Sequence, residues 1–291
     1  MRNLILALLL MTIQITAHSQ QRIFLYPSSE AIMNKGFDTS APFMDYYPSN
    51  NLSGAKTAVL ICPGGSYSHL SWDKEGTLPA HFFNERGIDA FVLSYRLNNG
   101  KQQGHHYPDQ YKDVTTAIRI IRSKAKEWHI DPDKTGVMGF SAGGHLASTA
   151  ATILQKGDPA AVNPLDRIST RPSFAILIYP VITMDTTFAH RASREMLLGK
   201  TPDEALVNAL STEKRVTPLT PPTFLIHADD DKGVLPQNSI AFYLALKKNK
   251  VPASLFIYDH GGHGFGMATQ DPLLSQWPTQ CVQWMQRQGF K

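Results

Sequence analysis

"VMGFSAGGHL", residues 137–146, sets Ser141 between Gly139 and Gly143 in the spacing Gly-x-Ser-x-Gly. The apolar run "TGVMGF" leads into it and "AGGHLASTAATIL" leads out, so the serine is expected where a buried strand turns into a helix. A nucleophile held on so tight a turn needs neighbours without a Cβ, because crowded backbone lies on either side. Taken alone, the spacing arises often by chance and reads more readily as a plain glycine-rich loop. The surrounding chain decides between the two.

Working outward, short runs rich in Val, Ile, Leu and Phe occupy 57–65, 88–95, 135–141, 174–181, 223–230 and 253–260. Each reads as a strand buried on both faces. Stretches of helical period lie between and beyond them. From Asp109 to Trp128, apolar residues recur at Val114, Ala117, Ile118, Ile121, Ala125 and Trp128. Further helices are expected from Ser141 to about Leu154, from Gln237 to Asn249 and from Ser275 to Gln288. Strand and helix in alternation imply an α/β protein: a mostly parallel central sheet with helices on both faces. With no internal repeat, low-complexity tract or linker, residues 20–291 read as one domain. Only about 186–222, with its prolines and short helical pieces, breaks the rhythm, as a short cap inserted between two strands would.

Residues 1–19 have one early Arg, an apolar run from Leu4 to Ile15, and small residues at Ala17 and Ser19. That is the pattern of a signal peptide, cut after Ser19 or Gln20, and it implies a secreted or periplasmic protein. The run is too short to span a bilayer, so no membrane span is expected in the mature chain. The net charge of +4 comes without any long Lys/Arg block, which argues against a nucleic-acid partner. The two cysteines, Cys62 and Cys281, read as buried small apolar residues, and neither has metal-ligand spacing to other Cys or His.

A serine hydroxyl becomes a good nucleophile only when a base takes its proton and an acid orients that base. "FLIHADDDKGVLP" ends one apolar run with Asp229, Asp230 and Asp231, and "FIYDHGGHGFG" ends the next with His260 and His263. The order Ser, Asp, His is the one that a serine on a strand-to-helix turn uses. Among the acids, Asp231 lies far enough past the strand to turn back toward the histidine loop, with Asp230 as the alternative. His263 is preferred as base because glycines flank it, whereas His260 still belongs to the strand end. His145, one helical turn beyond Ser141, reads as a packing or hydrogen-bonding support rather than a second base. The remaining need is a set of N–H donors for a tetrahedral oxyanion. Gly65 and Ser66, in the turn "CPGGSYSHL", and Ala142, just after the serine, are the candidates. No metal and no organic cofactor is called for by this chemistry.

"CPGGSYSHLSWDKEG", "AFVLSYRL", "YPDQYKDVTTAIRIIR", "GFSAGGHLAS" and "HGGHGFG" together resemble the alpha/beta-hydrolase superfamily. The similarity is to its secreted carbohydrate esterases, the acetyl xylan and feruloyl esterases, whose members often bear the name endo-1,4-beta-xylanase. It covers nearly everything after Lys56 and implies a serine esterase acting on an acylated carbohydrate or small ester, with Ser141, Asp231 and His263 in the catalytic roles. Two positions depart from the pattern: Ser66 stands where a third glycine is usual, and "VLP" follows the acid in place of Val-Pro. Prolyl peptidases share such a domain but normally carry a second large one, and a glycosidase would need a marked pair of carboxylates. A secreted binding protein that kept the fold and lost the chemistry is the remaining alternative. Tyr67, Trp72, Tyr107 and Trp277 are candidates either for stacking on sugar rings or for core packing.

Overall fold

The computed structural model describes residues 20–27, 41–51, 54–99 and 104–291. The leader expected over 1–19 lies outside them. Eight strands form one sheet: β1 (Gln21–Phe24), β2 (Phe43–Tyr47), β3 (Lys56–Cys62), β4 (Asp89–Ser94), β5 (Ile130–Phe140), β6 (Ala175–Ile178), β7 (Thr223–Ala228) and β8 (Ala253–Tyr258). Their spatial order is β1-β2-β4-β3-β5-β6-β7-β8. β2 is antiparallel to both neighbours, and every pair from β4 to β8 is parallel. The helices are α1 (Leu78–Asn84), α2 (Asp109–Ser123), α3 (Ala125–Trp128), α4 (Ser141–Thr152), α5 (Arg191–Leu198), α6 (Glu204–Leu210), α7 (Gln237–Lys248) and α8 (Trp277–Arg287).

Alternation along each strand divides the core in two. Ala58, Leu60 and Cys62 of β3, Val137 of β5, Ala175 and Leu177 of β6, and Leu225 of β7 face α2, α4 and α7. Val59, Ile61, Met138, Phe140, Ile176, Ile178, Phe224 and Ile226 point the other way, against α1 and α8. The two cysteines therefore lie on opposite faces of the sheet, both free and buried. Burial pushes both thiols up, away from the reactive thiolate.

Three details differ from the sequence reading. The helix expected over 109–128 breaks at Lys124, whose φ of −99° and ψ of 8° leave the helical region. β8 is not buried on both faces, because it is the edge strand and has a neighbour only on the β7 side. β1 and β2 add an antiparallel edge, held by Asp45 of β2, which accepts hydrogen bonds from Arg22 at 2.9 and 3.0 Å. Of the four aromatics, Tyr67 and Trp277 are fully buried, while Trp72 and Tyr107 are half-buried against Phe43 and Tyr111. Among the described residues, no helix is long and apolar enough to cross a membrane.

The segment over 186–222 holds α5, α6 and a 3₁₀ turn, Thr212–Arg215. Buried polar groups tie it down. His145 Nε2 of α4 donates to the Leu210 carbonyl at 2.8 Å, and the Ser148 and Thr212 hydroxyls bond at 2.9 Å.

Candidate active site

The parallel strands all end on one edge, and the loops beyond that edge carry the site. Ser141 follows β5 directly and opens α4 with φ +51°, a left-handed backbone rarely adopted by a residue with a Cβ. Its two glycine neighbours make that turn possible. A Cβ at Gly139 would fall on the Gly143 carbonyl, and one at Gly143 would fall on the carbonyls of Cys62 and Pro63.

Ser141 Oγ lies 2.8 Å from His263 Nε2, and His263 Nδ1 lies 2.7 Å from Asp231 Oδ2. The carboxylate can only accept, so Nδ1 bears the proton and the Nε2 lone pair faces the serine hydroxyl. Asp231 is 1% exposed, and its other oxygen accepts the N–H groups of Gly233 and Val234 at 2.9 and 2.8 Å. His227 Nε2, fully buried beneath it, comes to 3.3 Å of Oδ2. Burial acts to raise the Asp231 carboxyl, but the His227 and His263 bonds outweigh it and hold the group well below the usual carboxylate range. The acid is therefore ionised wherever the imidazole needs a counter-charge.

Asp230 does not reach His263. Its Oδ1 accepts the Gly262 N–H at 2.7 Å and so tethers the histidine loop through its backbone. His260 also points elsewhere, held between Asp259 and Asp271 at 2.6 Å each. These acids raise its affinity for a proton, Asp259 most.

Gly65 and Ser66 follow β3 with φ of +130° and +56°, and Tyr67 continues the left-handed turn at +63°. Ser66 thus holds, with a side chain, a conformation that glycine takes freely. The turn sits beside the serine: a Cβ on Gly64 would lie 2.9 Å from Ser141 Cβ. Ala142 is in the first turn of α4, where backbone N–H groups have no intrahelical acceptor. His145 is buried, with Nδ1 2.7 Å from the Tyr67 hydroxyl; Nε2 donates to Leu210, so Nδ1 accepts.

Several participants were not legible beforehand. Glu75, 4% exposed, accepts the Gly64 N–H and the Tyr179 hydroxyl, each at 2.8 Å. Tyr179 packs edge-on to His263 with ring centroids 5.2 Å apart. From the inserted segment, His190 stacks on His263 at 6.3 Å, and burial, then the charge of His263, lowers its affinity for a proton. The signal for Glu75 was its place ten residues after the glycine turn, which no spacing rule singles out.

The chain is 39% identical over 241 residues to "Acetylxylan esterase" of Xylanibacter ruminicola, covering 81% of this chain and 46% of that protein. It is 36% identical over 223 residues to "Endo-1,4-beta-xylanase B" of Butyrivibrio fibrisolvens, covering 76% and 34% respectively. The chain thus spans less than half the length of these two relatives. The crystal structure of an acetyl ester-xyloside bifunctional hydrolase from Caldicellulosiruptor lactoaceticus superimposes with a TM-score of 0.86 at 38% identity, covering 93% of this chain and 97% of that one. The sheet, its crossing helices and these neighbours define an α/β-hydrolase fold. The BD-FAE family model matches residues 44–246, and the chain belongs to the BD-FAE family.

Proposed function

We propose that this protein is a serine carboxylic ester hydrolase that removes acetyl groups from acetylated xylan or a related plant polysaccharide. The observation that carries the reading is the unbroken relay from Ser141 Oγ through His263 to Asp231, at 2.8 and 2.7 Å, beside a glycine turn able to present backbone N–H groups. The substrate class rests on the acetylxylan esterase and acetyl ester-xyloside hydrolase among its relatives.

In this mechanism Ser141 Oγ attacks the ester carbonyl carbon while its proton passes to His263 Nε2. The carbonyl oxygen becomes an oxyanion and takes hydrogen bonds from the N–H groups of Gly65, Ser66 and Ala142. As the intermediate collapses, His263 returns the proton to the departing sugar oxygen, leaving acetyl-Ser141. Water then attacks the acyl carbon, its proton taken by His263, and acetate leaves with the serine hydroxyl restored. Asp231 stays ionised throughout and fixes the imidazole tautomer. We place the mature protein outside the cytoplasm, on the pattern of residues 1–19.

Cleavage of the xyloside bond itself would require two carboxylates free to flank the sugar. The buried acids beside Ser141 are both committed, Asp231 to His263 and Glu75 to Gly64 and Tyr179. The test is a panel of 4-nitrophenyl acetate, acetylated xylan, methyl ferulate and 4-nitrophenyl xyloside, given to the wild type and to Ser141→Ala. Ester turnover should fall by roughly 10³-fold or more in the variant, with acetylated xylan the preferred polymer substrate. Ester turnover unchanged by the substitution would remove the serine from the mechanism.

A further inference from the structure

Glu75 is a buried carboxylate that the steps above do not use. It sits on a π-helical turn, Asp73–Thr77, and no cation forms a salt bridge with it among the described residues. Burial pushes its carboxyl up, against the hydrogen bonds of Tyr179 and Gly64 that favour the charged form. The charges of His263 and Lys74 act on it only from beyond ion-pair distance, and a buried acid without an ion-pair partner is a costly way to fill space, where an apolar side chain of similar volume would serve packing better. Its hydrogen bonds show what it accomplishes. One oxygen accepts the N–H of Gly64, the residue immediately before Gly65 and Ser66. The other accepts the hydroxyl of Tyr179, which follows β6 and is fully buried. The Tyr179 oxygen in turn accepts the N–H of Gly266, three residues beyond His263, at 2.9 Å. The far side of Gly266 is also fixed, since its carbonyl accepts the Trp277 indole N–H at 3.0 Å.

We propose that Glu75 and Tyr179 form a buried brace that holds the oxyanion turn in register with the histidine loop, making both of them positioning residues for ester hydrolysis. The inference rests on the ester-hydrolase reading given above. Three separately placed segments must meet within a few tenths of an ångström for attack, proton transfer and oxyanion binding to coincide, and a misplacement near 1 Å costs about 100-fold in rate. Ser141 is fixed by the β5–α4 turn. The other two segments are glycine-rich loops, "PGGS" and "HGGHGFG", and the brace is a direct chain of hydrogen bonds between them. Tyr179 is itself held at φ +35°, an uncommon backbone for a bulky residue, and its ring lies edge-on to His263. Strain of that kind persists where the surroundings over-determine it, and it concentrates at functional sites.

The variants are Glu75→Gln, Tyr179→Phe and the pair together, with Ser141→Ala alongside. Glu75→Gln keeps the volume but offers one acceptor where two donors converge, and Tyr179→Phe keeps the ring and removes the link. For folded variants, kcat with 4-nitrophenyl acetate is expected to fall about 10- to 100-fold with KM within about threefold of wild type. The double variant should lose no more than the worse single one, because the two residues act as a unit. Affinity for phenylboronic acid, which forms a tetrahedral serine adduct, should weaken in step with kcat/KM, a readout that a purely structural role would leave alone. Tyr179→Phe carries the test if Glu75→Gln does not fold. Folded variants with wild-type kcat, losses confined to KM, or additive losses would overturn the brace while leaving the esterase reading intact. Turnover surviving in Ser141→Ala would overturn both.

Discussion

At the scale of single residues, the site turns on which of three consecutive acids faces the histidine. The residues "DDD" differ by one position each, and chain geometry alone decides their directions. Asp231 folds back under its own turn, capped by the Gly233 and Val234 N–H groups, and meets His263 from below. Asp230 takes the Gly262 backbone instead. Replacing Asp231 by Asn should cost about 10³- to 10⁴-fold in kcat through the wrong imidazole tautomer, with KM little changed. Asp230→Asn loses one charge-assisted bond to a loop and should cost less than about tenfold. Steady-state kinetics on both variants check this, and comparable losses in the two would contradict it. Ser141, His263 and the glycine turn were legible because the proposed chemistry requires those residue types in that order. Glu75 and Tyr179 were not, because a hydrogen-bonding partner is chosen by three-dimensional neighbourhood and leaves no periodic trace in the sequence.

At the scale of elements, the parallel strands announced themselves as apolar runs between turn residues, since both faces of all but the edge strand β8 are largely buried. β2 did not, because "FMDYY" is short and carries a charged Asp45 that its bonds to Arg22 and Gln20 make tolerable inside. The break after α2 was also hidden, as the apolar period runs on through Ala125 and Trp128 while the backbone does not. The tie between α4 and the inserted segment has a pH signature. His145 is fully buried between the Tyr67 hydroxyl and the Leu210 carbonyl, and burial lowers its pKa to about 4 from an ordinary 6.5. Between those values the unfolded chain binds the proton and the folded one does not, so stability rises with pH across that window. Acidification from pH 6.5 to about 4 should therefore cost about 3 kcal/mol through this residue. Thermal unfolding of the wild type and of His145→Gln, which keeps one donor and one acceptor, should show a shallower acid slope in the variant. Equal slopes would contradict a neutral, buried His145.

At the scale of the whole molecule, the sheet both separates and gathers. It keeps Cys62 and Cys281 on opposite faces, and it delivers Ser141, Asp231, His263 and the Gly65–Ser66 turn to one edge from four different strand ends. That gathering follows from the parallel arrangement, because every strand from β3 to β8 ends on the same side. The alternation of strand and helix made this much readable. Which inserted residues reach the site was not, since 186–222 has no single period, and His190 comes over His263 through a segment anchored both on α4 and, by the Asn238 amide to the Phe188 carbonyl, on α7. Every proposed step depends on Ser141 being a nucleophile activated by His263. The most direct measurement is labelling of the folded protein with a fluorophosphonate, followed by peptide mapping of the adduct. One adduct is expected, on the peptide holding Ser141, absent in Ser141→Ala and formed far more slowly in His263→Ala. An adduct on another residue, or labelling that survives Ser141→Ala, would contradict it.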